Sequence, residues 1–355
     1  MSVHAFGWPG IWLVVALLIN GVAPHPTRDY FNMARAPLDR YETSPFYQDS
    51  LLLPTVAHLL RCDRSFLAFL ALCFGMIVCL FLLVGSVGRL PSLRIVAGAV
   101  LLPALAVHPV SQSLMNWIGS CDPITIGSSV VLTFATECRL LGLAAVIGSL
   151  NHPKMVIIAL GIAWIRGVAP LLPLDTRGKI TIVSSAFASA AAVRLVLWAT
   201  GRAAMETRLD VMLKHGLTYW LAERVAEAPA NLLSLYGGLL PPIIVSFALL
   251  WPMSRAYCLR VAGYSLAAFG IAFAMWDFTR VFGLLTVAVD LHLLASACIA
   301  RPGAIRSTVR WRNAILLLVI WGAFMPRCLA WHRQVIAPAI PYAWNWVGGL
   351  LRSPR

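Results

Sequence analysis

A chain of 355 residues that is 60% hydrophobic and only 12% charged, with a mean hydropathy of +0.80, lies far outside the range of soluble domains and is read as a polytopic membrane protein. The net charge of +14 would suit nucleic acid if it were concentrated. Instead Lys and Arg stand singly or in pairs in short gaps between apolar runs, so nucleic acid is excluded as a partner and the lipid bilayer takes its place.

At roughly 20 residues per crossing, the length predicts a single all-α membrane-embedded domain over 1–355. It would have about ten to twelve transmembrane helices, some short or broken, and no separate soluble domain. The first apolar run, 9–24, reads as a retained helix. The alternative is a secretory signal cleaved after Gly21-Val22-Ala23, but the residues before the run hold no Lys or Arg and Pro24 would follow the cut. Either way the polar segment 25–65 becomes the first outer loop. It holds Asp29, Asp39, Glu42, Asp49 and Asp63 out of only 14 acids in the chain, too charged a stretch to be packing material. Within it LLLPTVAHLL (51–60) is too short to span and is placed in the interface.

Residues 66–87 form the second span, closed on the inner side by the basic, acid-free GRLPSLR. A third span over 95–107 leads into HPVSQSLMNWIGSCDP, whose lack of Lys and Arg marks the outer face. Residues 124–150 are too many for one crossing and few for two. They are read as two short or broken helices meeting at Glu137–Arg139 inside, with Asn151-His152-Pro153-Lys154 back outside. The run 155–174 carries Arg166 inward to the basic connection DTRGK, and 180–200 returns outward past Arg194.

In 202–228 apolar positions recur every three or four residues among charged ones, which predicts an amphipathic helix on the outer membrane surface. Spans follow over 231–251, 261–276, 281–300 and 314–329. Asp277-Phe278-Thr279-Arg280 forms a tight outer corner, and Arg301, Arg306, Arg310 and Arg312 stay inside. Residues 338–351, rich in Trp and Tyr, either cross once more or lie in the interface. The inner connections thus collect Lys and Arg nearly free of acid, Glu137 and Asp175 excepted. Most of the eight cysteines sit in apolar runs without metal-type spacing and read as small buried hydrophobes. Cys62 and Cys121 fall on the outer face, where a disulfide between them would persist.

This threading gathers Asp29, Asp122, His152, Lys154, Asp277 and Arg280 on one face with the other acids of the first loop. Carboxylates for acid–base work beside cations for a phosphate describe an enzyme that acts on a lipid-phosphate. Each residue also has a structural reading. Asp29 pairs with Arg28 or caps the loop's first turn; Asp122 is an N-cap ahead of Pro123; His152 bonds the backbone ahead of Pro153; Asp277 and Arg280 form an ion pair three residues apart. Arg166 and Arg194 lie in apolar runs where an unpaired charge is costly, so they face the bundle interior or snorkel.

An apolar first helix followed within a few residues by an acid in the outer loop, here Arg28-Asp29-Tyr30, and then by an amphipathic stretch resembles the GT-C class of membrane glycosyltransferases. SPFYQDSLLLP, CDP, NHPKM and WDFTRVF are similar to stretches of bacterial membrane proteins of this general build. The resemblance implies a polyprenyl-phosphate-linked sugar as donor, a glycan or lipid as acceptor, and chemistry on the extracytoplasmic face of a bacterial inner membrane. It implies Asp29 as the catalytic base. Asp122 joins it as a second catalytic carboxylate, with His152, Lys154, Asp277 and Arg280 as substrate-binding residues. The first loop holds no adjacent pair of acids, so a divalent metal is left open as cofactor and no metal ligand is named.

Two other classes compete. A transporter or flippase for lipid-linked sugars would place ionisable residues near the midplane, often in matched repeats; only Arg166, Arg194 and Asp290 stand there, and no repeat is visible. A non-catalytic scaffold subunit is the third.

Overall fold

The computed structural model describes residues 4–21, 27–37, 50–116, 118–201, 208–225, 228–275, 277–299, 305–324, 329–331 and 334–336. Its regular elements are helices, apart from one short antiparallel ribbon in which β1 (Leu329–Trp331) pairs with β2 (Gln334–Ile336). Among the described residues four helices are long and apolar enough to cross a membrane, and a fifth is added if a bent pair counts as one span. Several shorter apolar helices accompany them, so the described residues do not supply ten long crossings.

The chain begins with α1 (His4–Asn20), the short α2 (Thr27–Arg35) and α3 (Leu52–Leu59) of the first loop, and the long apolar α4 (Phe66–Ser86). Ser65 caps α4 by accepting from the Ala68 N–H at 3.4 Å. The expected third span is not one helix. It runs through α5 (Arg94–Val96), a π-helical turn at Ala97–Leu101 and α6 (Leu102–Val107), then bends by 62° into α7 (Pro109–Asn116). The bend is local chemistry, since proline at 109 removes a backbone donor and fits the first turn of a new helix. His108 supplies the cap, its Nδ1 accepting from the Val110 N–H at 3.1 Å.

Residues 124–150 do divide into two short helices, α8 (Asp122–Phe134) and α9 (Cys138–Asn151), joined at 135–137. The next run, expected to continue past Arg166, stops there as α10 (Met155–Arg166). The Arg166 guanidinium is buried. It donates from Nη1 to the carbonyls of Leu132 (2.7 Å) and Ala135 (2.8 Å), and from Nε and Nη2 to that of Leu172 (2.9 and 2.7 Å). Leu132 and Ala135 lie at the C-terminal end of α8, where unpaired carbonyls attract a cation. Asp175 then caps α11 (Thr176–Ala199), accepting from the Gly178 N–H at 2.7 Å. Arg194, on α11, is exposed on the outside of the bundle.

The surface helix expected over 202–228 is described as α12 (Arg208–Val225), and it kinks at Gly216, where φ is +71°. Only glycine adopts that conformation at no steric cost, which divides the expected single helix in two. Beyond it come α13 (Ala228–Tyr236), α14 (Leu240–Leu250), α15 (Arg255–Phe273), α16 (Phe278–Ile299) and α17 (Ile305–Gly322). The expected element over 338–351 lies outside the described residues.

The bundle is organised around α16, in which every residue but Arg280 and Ile299 is buried; α7, α8, α13, α14, α15 and α17 pack about it. The outer helices present apolar faces outward, with Leu67 76%, Trp198 75% and Leu266 71% exposed. Apolar surface on that scale marks contact with lipid or protein, and several of these helices are fit to span a membrane.

Candidate functional site

Asp122 opens α8 directly ahead of Pro123, and its carboxylate lies at the positive end of that helix. It is wholly buried, and a buried carboxylate without a partner is costly. The partner is Arg280 in the first turn of α16. Its Nε and Nη2 both donate to Asp122, the latter reaching Oδ1 at 2.8 Å, in the forked pairing that suits a guanidinium. The third nitrogen, Nη1, donates to Asp277 Oδ2 at 3.1 Å. One arginine therefore ties the start of α8 to the corner ahead of α16.

Neighbouring elements close around this knot. The Tyr30 hydroxyl of α2 meets Cys121 Sγ at 3.4 Å. Asn151, at the end of α9, donates to the Cys121 carbonyl at 2.6 Å and to Thr125 Oγ1 at 3.0 Å. His152 caps the start of α10, its Nδ1 accepting from the Lys154 N–H at 3.1 Å. Burial, reinforced by Cys121 and Asp122, holds the Tyr30 phenol well above its ordinary range, so it stays protonated. Burial also raises the Cys121 thiol, so it is not a ready thiolate nucleophile. The Asp277 carboxyl is pushed up by burial against the opposing pull of Arg280 and Lys154. With Asp122 and Asp277 facing Arg280 and Lys154, the formal charges balance.

An apolar cleft of about 310 Å³ opens beside the knot, between α4, α8 and α9. Pro123 and Ile124, the residues after Asp122, line it, and it continues along Gly127 to Val131 between Met76 and Leu83 on one side and Leu143 on the other.

No family model, curated protein or solved structure matches the chain. What the site can do therefore rests on its own chemistry. Arg280, with all three nitrogens donating to Asp122 and Asp277, is thereby tied to the start of α8, where the next residue, Pro123, lines an apolar cleft.

Asp122, Asp277 and Arg280 are in direct contact, and Lys154 acts on Asp277 through space. Asp29 lies on α2 one residue before Tyr30, and its side chain is outside the described residues. So are Asp39, Glu42 and Asp49. Asp122, expected as a second catalytic carboxylate, is fully buried with both oxygens on Arg280. His152 is likewise buried with Nδ1 committed to the backbone. Cys62 and Cys121 are free thiols; Cys121 faces Tyr30, while Cys62 is turned to the Leu60 carbonyl. Among the described residues no group of three or more His, Cys, Asp or Glu side chains is placed to hold a metal ion.

Sequence reasoning gave no role to Tyr30 or Asn151, although each adjoins a residue it singled out, and it read Cys121 only as a disulfide candidate. It also missed the partner of Asp290. His108 Nε2 lies 3.2 Å from Asp290 Oδ2, and both side chains are almost wholly buried.

Proposed function

We propose that the chain is an integral membrane enzyme of the glycosyltransferase type, with about ten to twelve crossings when its shorter apolar helices are counted. It would transfer a sugar from a polyprenyl-phosphate-type donor to a glycan or lipid acceptor on the extracytoplasmic face of a bacterial inner membrane. One observation supports the reading: Asp122 anchors Arg280 and the next residue, Pro123, lines the apolar cleft, so the charged cluster adjoins an apolar groove. Arg280 and Lys154 would stabilise the departing phosphate, Asp122 and Asp277 would hold Arg280 in place, and Asp29 would take the proton of the acceptor hydroxyl.

The test is transfer of labelled sugar from a polyprenyl-phosphate donor by the purified chain in detergent. Asp29→Asn keeps size and most hydrogen bonding but removes the proton acceptor, and turnover should fall about 10²–10⁴-fold in a normally folded protein. Asp39→Asn, Glu42→Gln and Asp49→Asn should remain active. A dead variant among those three beside an active Asp29→Asn would reassign the base. No transfer by the parent chain would defeat the enzyme reading, and full activity in all four variants would place the base outside these four acids of the first loop.

The transporter reading has a specific observation in its favour, the 62° helix break at His108 with Asp290 opposite it. Broken helices with ionisable groups at the break are the usual build of transporter sites. A transporter would move the lipid-linked sugar across vesicles and leave it chemically unchanged in detergent.

A further inference from the structure

On α16, Thr279, Gly283, Thr286 and Asp290 recur at i, i+4, i+7 and i+11 and so share one face. Three contacts show what that face meets: Thr279 donates to Ser234 Oγ of α13 at 2.8 Å, Gly283 abuts Val110 of α7, and Asp290 meets His108 at the bend. By helical rise, Asp290 sits about 15 Å along α16 from Arg280, well away from the charged cluster.

The hydrogen bonds fix the protonation pattern. His108 Nδ1 accepts from the Val110 N–H, so its lone pair is in use and the ring hydrogen must be on Nε2, which donates to the Asp290 carboxylate. With Asp290 as the carboxylate, the pair carries one net negative charge. Among the described residues His108 is the only ion-pair partner of Asp290. Other titratable or charged groups face this part of α16. Tyr236 of α13 and Tyr257 and Tyr264 of α15 feel the Asp290 charge. Tyr264 donates to the Leu285 carbonyl at 2.8 Å. His292 and Tyr257 bond each other at 2.7 Å, with Arg166 acting on His292, and Arg312 of α17 acts further along on Cys298. None of these supplies a cation to Asp290. Two buried polar groups near the pair also have no hydrogen-bond partner, Gln112 Nε2 one turn along α7 from His108 and Thr286 Oγ1 one turn along α16 from Asp290.

We propose that His108 and Asp290 form a proton-binding site that controls the bend between α6 and α7. A proton from water adds to His108 Nδ1, taking the pair from a net charge of −1 to zero. The same proton uses the lone pair that held the Val110 N–H, so the cap of α7 is lost and the first turn of that helix is released. Uptake of charge and change of bend are one event, and nothing is oxidised or reduced. This site is independent of the glycosyltransferase reading and serves either an enzyme or a transporter.

The test uses the full chain in lipid nanodiscs, with infrared difference spectra taken between about pH 8 and about pH 5, the range in which histidine responds. An imidazole protonation band should appear together with an amide change. Both should be lost in His108→Asn and in Asp290→Asn. Asparagine at 108 still caps the Val110 N–H, and asparagine at 290 still accepts from the imidazole, so unchanged elution and circular dichroism are expected. A coupled signal that survives in either folded variant overturns the proposal. Ring-nitrogen NMR of the unaltered protein reads the same event without substitution: the histidine whose Nε2–H faces a carboxylate must gain an Nδ1–H over this range. A bare Nδ1 throughout also overturns it.

Discussion

Arg280 meets two carboxylates with a single charge. Asp122 takes the fork, while Asp277 receives one nitrogen and has its carboxyl pushed up by burial despite Arg280 and Lys154. A carboxyl whose pKa is raised on folding contributes stability below its unfolded value, near 3.9, and that contribution is lost as pH rises through the folded value. Asp277→Asn keeps an acceptor for Nη1 and removes that loss. Its thermal unfolding temperature should therefore exceed the parent's at about pH 7 and approach it at about pH 4, and an offset independent of pH would contradict this. Asp122→Ala strands the guanidinium instead and should cost about 3–5 kcal/mol in unfolding measurements, with Asp122→Asn milder. Both charges were legible in the sequence because charge is so scarce there. Their contact was not, since they lie 158 residues apart and only packing brings α8 to α16.

Helix breaks separate what periodicity could predict from what it could not. The division of 124–150 followed from length and a charged Glu137-Cys138-Arg139, and α8 and α9 meet there. The bend at His108 did not show, because a neutral segment opening with His-Pro reads as a loop and its hydropathy says nothing of a buried second helix. Close approach between elements was also invisible. At Gly161 of α10 a Cβ would run into the Tyr264 ring of α15, so Gly161→Val should overpack that contact and lower stability by about 1–3 kcal/mol or more. Gly270, also on α15, has nothing near its Cβ position. Gly270→Ala should be neutral or stabilising by up to about 1 kcal/mol through helix propensity. Equal destabilisation of the two by thermal unfolding would refute the packing argument.

For the whole molecule, the coarse class was written in composition, whereas the number of complete crossings was not, because many apolar runs fold as short or bent helices. The sidedness of the loops can be tested directly. With the eight native cysteines replaced, single cysteines at Asn32 and Ala204 should react in intact cells with a thiol reagent that cannot cross membranes, and those at Ser92 and Ser307 should not; the reverse pattern would invert the site. The central proposal is that a lipid-phosphate places its head at Arg280 and Lys154 and its chain in the cleft between α4, α8 and α9. The most direct measurement is photocrosslinking of the purified chain with a polyprenyl phosphate carrying a diazirine in its tail, followed by peptide mapping. The account predicts label on peptides covering 123–131 and 140–147, reduced by excess unlabelled polyprenyl phosphate and by Gly127→Leu, which fills the cleft. Label spread over the outer apolar faces, unaffected by competitor or by Gly127→Leu, would contradict it.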